Sequence, residues 1–463
     1  MEKQYDVIII GGGIGGLMAA YGLRSADPAL RVAVAEKGRA VEQRHCPASG
    51  GRGCVYCPVC SITSGFAGAG AFSDGKFNLG TAYGGTLGEE LGEATAMRYI
   101  GAVSDVLDRF TPPGLVIREY GSDEALKLKC LQNNLRLLDM NVKHLGTDNN
   151  LLIMKNLIRW LEENGVDLLP NTDVLEVLPE NGGYRLMTDG TSLTAGKLII
   201  ATGRNGAEFV GELCRRFGIP MKSNAVDIGV RVEMKDAIWR EFSSRIYEPK
   251  ILCRTKTFED RTRMFCFNQG GIVSAENNDG VITANGHSFA DPAKKTENCN
   301  FAILSSIRFT EPFNNPTEYA KSFSKMANLI GNGNVLVQRF GDLIRGRRTN
   351  DHRLGQNTVL PTLKATAGDL SLALPHRILT NIIETIYALD RVAPGTANDD
   401  TLLYGLESKY YSLKPGHDSD FRIYENIYLI GDGSGICRGL SQSGAMGLYV
   451  ADRITGGKGP VNA

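Results

Sequence analysis

Residues Asp6 to Ala20 read DVIIIGGGIGGLMAA, and this stretch limits the fold more than any other. Val7 to Ile10 is a short apolar run of the kind buried on both faces of a parallel sheet. It ends in glycines spaced G-x-G-x-x-G at Gly11, Gly13 and Gly16, and small, helix-compatible residues follow. The first glycine permits a tight turn, the second lets the backbone approach a pyrophosphate, and the third lets the helix pack on the strand. The helix starting at Ile14 and Gly15 turns its N-terminus toward the phosphates. A second apolar run, RVAVAEK, ends in Glu36 and Lys37. A carboxylate there is placed to accept hydrogen bonds from ribose hydroxyls. Gly11, Gly13, Ile14, Gly15, Gly16, Glu36 and Lys37 are therefore the expected nucleotide-binding residues of a Rossmann-like unit.

Three later stretches bear on which dinucleotide binds. Thr172 to Gly190, TDVLEVLPENGGYRLMTDG, reads as a small β-meander. KLIIATGRNG follows as a strand ending in Ala201-Thr202-Gly203. Near the C-terminus, ENIYLIGDGSGICRGLSQSGAMGLYVADRI gives a strand, then Gly431-Asp432-Gly433, then a helix. This order resembles the glutathione-reductase-type FAD flavoproteins. The resemblance implies that Gly431 and Asp432 lie by the ribityl chain and phosphate. It also implies that the last helix, with Ser441 and Gln442, points its positive end at the flavin. It adds Gly70, Ser73, Asp74, Val174, Ala201, Thr202 and Gly203 to the expected FAD contacts.

SGFAGAGAFSDGKFN, GIPMKSNAVDIGVRVE, TRMFCFNQGGIVSAENNDGVITANGHS and DDTLLYGLESK occur in that order. With the signatures above, they are similar to a widespread microbial family described only as uncharacterised FAD-dependent dehydrogenases. That resemblance spans nearly the whole chain and implies FAD and a redox reaction, with no settled substrate. The family pattern carries a second Cys and a Pro after Phe265-Cys266. Asn268 and Gln269 stand there here, which speaks against a two-cysteine role. The expected fold is α/β: a discontinuous Rossmann-like FAD domain (1–217 and 401–463) of parallel sheet plus meander, with an inserted α+β substrate or cap domain (218–400).

A cysteine-rich insert occupies 46–60. CPASGGRGCVYCPVC holds four of the ten cysteines. Cys54, Cys57 and Cys60 form C-x2-C-x2-C, and Cys46, followed by Pro47, is a separated fourth thiol. Ferredoxin-type runs ligate iron–sulfur clusters with such spacing. A [4Fe–4S] cluster would pass single electrons between the flavin and an outside carrier such as a ferredoxin. A zinc site fits less well, because two C-x2-C pairs are expected of one. A redox dithiol would occupy a comparable place in disulfide reductases. Those need a second nucleotide-binding insertion, and no second strand–G-x-G-x-x-G–helix occurs. Four unlinked thiols are the remaining alternative.

The catalytic candidates are Cys266 in an apolar strand, His287 after TANG, Arg347 in the Arg-rich LIRGRRT, and Arg438 in the turn entering the last helix. Each has a bland counterpart: an inert buried thiol, a sheet-edge histidine, a solvated basic loop, a salt bridge. Ile378, Ile382, Ile386 and Leu389 recur at helical spacing and read as core. Lys+Arg and Asp+Glu balance at 51 each, which gives no footing for nucleic acid or an anionic membrane. No run approaches the roughly 20 apolar residues of a membrane helix. No signal peptide is visible, so a cytoplasmic protein is expected. The resulting expectation is a FAD-dependent oxidoreductase acting on a small molecule. A thiol–disulfide flavoenzyme using Cys54, Cys57 and Cys60, or a FAD-containing scaffold, are the alternatives.

Overall fold

The computed structural model describes residues 3–47, 57–73, 75–278, 280–288, 292–309, 313, 315–459 and 461. The chain forms two compact units. One comprises Met1–Tyr120, Asn141–Lys222 and Ser412–Ala463; the other comprises Gly121–Met140 and Ser223–Tyr411.

The first unit is built on the parallel sheet that the opening motif requires. Its strands run in the order Arg422–Tyr424, Ile427–Leu429, Ser192–Ile200, Lys3–Ile10, Val32–Ala35, Asp167–Leu169, all parallel except the first, which is antiparallel to its neighbour. Ile10 pairs with both Ile200 and Ala35, so three strand ends line up at the turn that follows Ile10. Ser192–Ile200 also pairs backwards with Gly183–Thr188, and that strand with Val174–Glu180. This is the expected meander. Helices Ile14–Ala26 and Leu440–Ile454 pack closely because small residues face each other. A Cβ at Gly447 would stand 2.2 Å from the Gly15 carbonyl oxygen, and one at Gly22 would stand 2.7 Å from Ala451 Cβ. Leu17, Met18, Leu448 and Val450 fill the layer between helices and sheet. Ile8, Leu198, Val210 and Leu213 fill the opposite face.

The second unit holds an eight-stranded sheet. At its centre Val226–Lys235 pairs antiparallel with Asn298–Ile307 and Leu402–Lys409. Strand alternation splits that central strand in two. Ile228, Val230, Val232 and Met234 join the apolar core, into which Ile378, Ile382, Ile386 and Leu389 of helix His376–Asp390 also pack. Asp227, Arg231 and Glu233 have the other parity, yet each is at most 1% exposed. The hairpin Ile272–Asn278/Val281–His287 lies against this polar row. A Cβ at Gly286 would stand 1.7 Å from Arg231 Nη2.

The unit boundaries differ from 217/218 and 400/401. Leu402–Lys409 is a central strand of the second unit's sheet, and Leu135–Leu137 pairs with Ile251–Arg254 at that sheet's edge. The second unit therefore runs to Tyr411 and takes in Gly121–Met140. Among the described residues no helix is long and apolar enough to cross a membrane.

Candidate functional site

The first unit gathers most of its expected nucleotide residues at the C-terminal ends of the parallel strands, where open α/β sheets bind ligands. Gly11 turns at φ +112°, and a Cβ there would stand 2.5 Å from the Ala201 carbonyl oxygen. A Cβ at Gly16 would stand 2.0 Å from the Gly11 carbonyl oxygen, so the helix can seat only with glycine there. Three loops repeat one conformation. Gly68, Gly203 and Gly431 have φ of 63°, 64° and 75° with ψ of −164°, −163° and −161°. Essentially only glycine occupies that region. Each opens a 3-10 turn: Ala69–Phe72, Arg204–Gly206 and Asp432–Ser434. A Cβ at Gly433 would come within 3.0 Å of the Gly203 carbonyl, and one at Gly68 within 2.9 Å of Gly13 Cα.

Glu36 is the hub of this end. Its Oε2 accepts from Gly12 N at 2.8 Å, and its Oε1 from Gly38 N at 2.9 Å and Gly65 N at 2.8 Å. The acid read as a ribose acceptor thus also ties three loops together. Asn150, buried on helix Thr147–Glu163, donates to the carbonyls of Gly70 at 2.8 Å and Ala71 at 3.2 Å. Nothing in the sequence marked Asn150, because its partners are main-chain atoms of a distant loop. Ser73 caps its own turn, donating to the Gly70 carbonyl at 2.7 Å. Gln442 donates to the Tyr83 carbonyl at 3.0 Å, so that end of its amide is spent within the protein. Asp432 pairs with Arg204 at 3.0 Å. Lys37 is half-buried, and Val174 is buried in the core beneath the sheet. Asp74 lies outside the described residues.

Polar groups are left over at this place. Thr202 Oγ1 and Ser441 Oγ are buried without a hydrogen-bond partner. Among the described residues the N–H groups of Ile14, Ala69 and Gly70 find no acceptor. Buried polar groups are normally paired. Unpaired donors at helix and turn starts, beside side-chain-free glycines, suit a bound diphosphate. The residues fit the FAD that the sequence implies.

Two family models agree with that geometry. A FAD binding domain matches residues 6–59. The C-terminal domain-like model of FAD-dependent proteins matches residues 226–410, nearly the whole second unit. The chain is an FAD-dependent protein. Among curated proteins none matches this flavoprotein. Solved structures similar to it include L-proline dehydrogenase from P. horikoshii, 13% identical, covering 99% of this chain and 95% of that one at TM-score 0.41. Glycine oxidase from Geobacillus kaustophilus is 13% identical over 97% and 94% at TM-score 0.39. FrdA of E. coli quinol fumarate reductase is 14% identical over 99% and 71% at TM-score 0.42.

The catalytic candidates scatter. Arg438 belongs to the first unit of the flavoprotein, its N–H bonded to the Gly84 carbonyl at 2.7 Å. Cys266 and His287 belong to the second unit, where Cys266 borders a buried centre that the sequence reading missed. Arg231, fully buried, donates to Asn300 Oδ1 at 2.9 Å, to the Cys266 carbonyl at 2.9 Å and to Glu407 at 3.4 Å. Glu407, also fully buried, meets Lys409 at 3.3 Å. Burial alone would lower the Lys409 ammonium, but Glu407 and Glu276 hold it above its usual value. Cys266 sits in a bulge at φ +57°, its N–H held by Glu248 at 2.9 Å. It is half-buried, not sealed in an apolar strand. His287 ends its hairpin strand, exposed, with its carbonyl against Gly271. A signal existed: Arg231 and Glu407 are charges inside apolar runs, VDIGVRVEM and LLYGLESK.

Arg347 stands apart from that centre. Its Nε donates to buried Asp342 at 2.7 Å, where Thr349 Oγ1 also donates at 2.8 Å and Arg353 at 3.4 Å. That carboxylate employs one edge of the guanidinium and fixes it in the loop.

Of the four clustered thiols, Cys54 lies outside the described residues. Cys46 and Cys57 are half-buried, and Cys60 is exposed. Among the described residues no group of three metal-ligating side chains comes together. Cys60 nonetheless has a defined setting. Burial pushes its thiol up, but hydrogen bonds from Thr63 and the Ile62 N–H, with the Arg44 charge, bring it below the ordinary value. Cys437, by contrast, is fully buried beside Ser443 and Met446, and burial pushes its thiol up to about 12.

Proposed function

We propose that the chain moves a hydride between a carbon of a small organic substrate and FAD, on a nucleotide unit of glutathione-reductase type. The observation that carries this is the first unit's array of unpaired Thr202 Oγ1, Ser441 Oγ and loop N–H groups around Gly13 and Gly68. FAD, when bound, supplies a two-electron acceptor that also exchanges single electrons. The chain's part is to hold it. Gly13, Ile14 and the Gly68–Gly70 turn receive the diphosphate, Glu36 the ribose side, and the Asp432 turn and the Ser441 helix start the flavin side. Cys266 and His287 are the proposed proton-moving groups of the second unit, with Arg231 and Glu248 fixing the Cys266 backbone.

Cys46, Cys54, Cys57 and Cys60 are proposed as the exit for electrons, as [4Fe–4S] ligands serving a ferredoxin-like carrier. A redox thiol at Cys60 is the second reading, favoured by the N–H groups around that sulfur. A cytoplasmic setting, where clustered thiols stay reduced, suits both.

The test is anaerobic. Bleaching of the bound flavin by one member of a substrate panel, with stoichiometric product, supports hydride transfer; a flavin that no organic donor reduces defeats it. Iron and sulfide analysis of wild type and Cys57→Ser then separates the exits. Iron and sulfide lost in the variant mean a cluster, and their absence from both leaves the thiol.

A further inference from the structure

Arg44 is a buried cation in an unusual position. Among the described residues it has no carboxylate within ion-pair distance. Its guanidinium is instead spent on main-chain carbonyls. Nε donates to Ser61 O at 2.9 Å, Nη2 to Ile62 O at 2.7 Å, and Nη1 to Phe66 O at 2.7 Å and Gly68 O at 2.8 Å. The Phe72 ring lies 4.7 Å from it. Burying a charge is costly unless something compensates it, and carbonyl dipoles compensate only in part.

The carbonyls it holds explain what the arrangement is for. In a peptide unit the C=O and the following N–H point in opposite directions. Drawing the Gly68 carbonyl toward Arg44 therefore turns the Ala69 N–H away from it, and this N–H is among those with no acceptor. Gly65, Phe66 and Ala67 are fixed as well, by Glu36, the Arg39 carbonyl and the Gly12 carbonyl. The loop that meets Gly13 is thus braced from behind by a positive charge, with its free donors on the other side.

We propose that Arg44 is a positioning residue for the FAD diphosphate. It aims the Ala69 N–H group and supplies, through the peptide dipoles, the positive charge that the diphosphate completes. The same guanidinium holds the Ser61 and Ile62 carbonyls, so it also ties the turn after Cys60 to the nucleotide loop. This rests on FAD binding at the first unit.

The discriminating experiment compares two probes that compete with FAD on the full chain: ADP, which carries the diphosphate, and adenosine, which does not. In Arg44→Met the affinity for ADP should fall about tenfold or more, as expected for loss of charge-assisted anchoring. Adenosine affinity should change less than about twofold, well under the 1.4 kcal/mol of a tenfold change. Arg44→Lys, which keeps the charge but not the fork, should recover part of the ADP loss. Equal losses for ADP and adenosine would make Arg44 a general support of the fold and overturn the proposal, as would an unchanged ADP affinity. If Arg44→Met does not fold, Arg44→Lys decides alone: a loss confined to ADP supports the proposal, and a loss shared by adenosine overturns it. A wild-type chain that binds neither FAD nor ADP would instead overturn the cofactor assignment.

Discussion

The two units build their polar centres from opposite materials. The first unit uses main chain: glycines at Gly11, Gly13, Gly68, Gly203 and Gly431, with N–H groups left over for a ligand. The second uses side-chain charge, sealing Arg231, Glu407 and Glu233 at 0% exposure between a sheet and a hairpin. A backbone cradle has its cost in conformational freedom and its return only when the ligand arrives. A buried charge network has its cost in desolvation, and it must satisfy itself in the folded chain. Glu233 does so fully, whereas Glu407 Oε1 and Asn300 Nδ2 of the same row are buried without a hydrogen bond. Glu233 receives Tyr404 Oη and Thr362 Oγ1, each at 2.6 Å, and Asn298 Nδ2 at 3.1 Å. The first unit should therefore respond to mutation mainly in ligand binding, and the second mainly in stability.

The strongest test of that contrast is Arg231→Met. It strands Glu407 with Lys409 as its one remaining ion-pair partner among the described residues and leaves the Cys266 carbonyl without its arginine. Removing one partner of a buried pair costs about 3–5 kcal/mol, measurable as a lower denaturation midpoint at unchanged slope. The double variant Arg231→Met/Glu407→Leu should recover part of the loss. A double variant as unstable as the sum of both singles would show that the two side chains do not act as a unit.

Within the first unit, the glycines of one motif should separate cleanly. At Gly16 an added Cβ meets a backbone oxygen at 2.0 Å, whereas at Gly13 the nearest atom is 3.9 Å away. Gly16→Ala should cost about 1–3 kcal/mol or more as overpacking. Gly13→Ala should leave the apo-protein's melting temperature almost unchanged while weakening FAD. Melting curves with and without FAD distinguish the two, because ligand stabilisation follows the dissociation constant. A Gly13→Ala protein that keeps its full FAD-induced shift would remove Gly13 from the cradle.

That difference also explains what the sequence disclosed. Gly11 and Gly16 were legible because their roles are local, a turn and a close helix–strand seat at fixed spacing, and Glu36 was legible as a strand-end acid, though its bond to Gly65 was not. The meander and the isoleucine stripe were legible for the same reason, being periodic. Arg44, Asn150 and Arg231 were not, since each acts on backbone or side chains brought near only by the fold. Arg347 was legible as a basic cluster, but its binding to Asp342 was not, because nothing local pairs it with that acid. The boundary near 400 failed similarly. LLYGLESK is a strand in any reading, and only its pairing with Val226–Lys235 assigns it to the second unit.

A smaller effect probes Asp342. Burial raises its carboxyl, but hydrogen bonds from Arg347 and Thr349, with the Arg339 and Arg353 charges, hold it below the ordinary carboxylate value. A depressed folded-state value gives stability that is complete above the unfolded-state value, about 3.9. That stability is lost as pH falls through the folded value. Asp342→Asn should therefore lower stability at neutral pH and flatten the acid limb of the melting temperature below about pH 5. An acid limb as steep as that of wild type would show that other carboxylates govern it.

The smallest effect concerns two thiols in unlike settings. Cys60 is exposed and its sulfur faces the Thr63 hydroxyl and two N–H groups, whereas Cys437 is sealed in the core. The thiolate is the reactive form. At neutral pH an alkylating reagent should therefore label Cys60 readily and leave Cys437 untouched in the native chain, as peptide mass mapping would show. Thr63→Val removes one hydrogen bond to the sulfur, worth about 0.5–1.5 kcal/mol. Labelling of Cys60 should then slow by about two- to tenfold. A Cys60 that resists reagent in the native, metal-free chain would mean that its surroundings serve the turn and not the sulfur. Protection that disappears on chelation would instead identify Cys60 as a bound ligand, and the second reading of the electron exit would give way to the first.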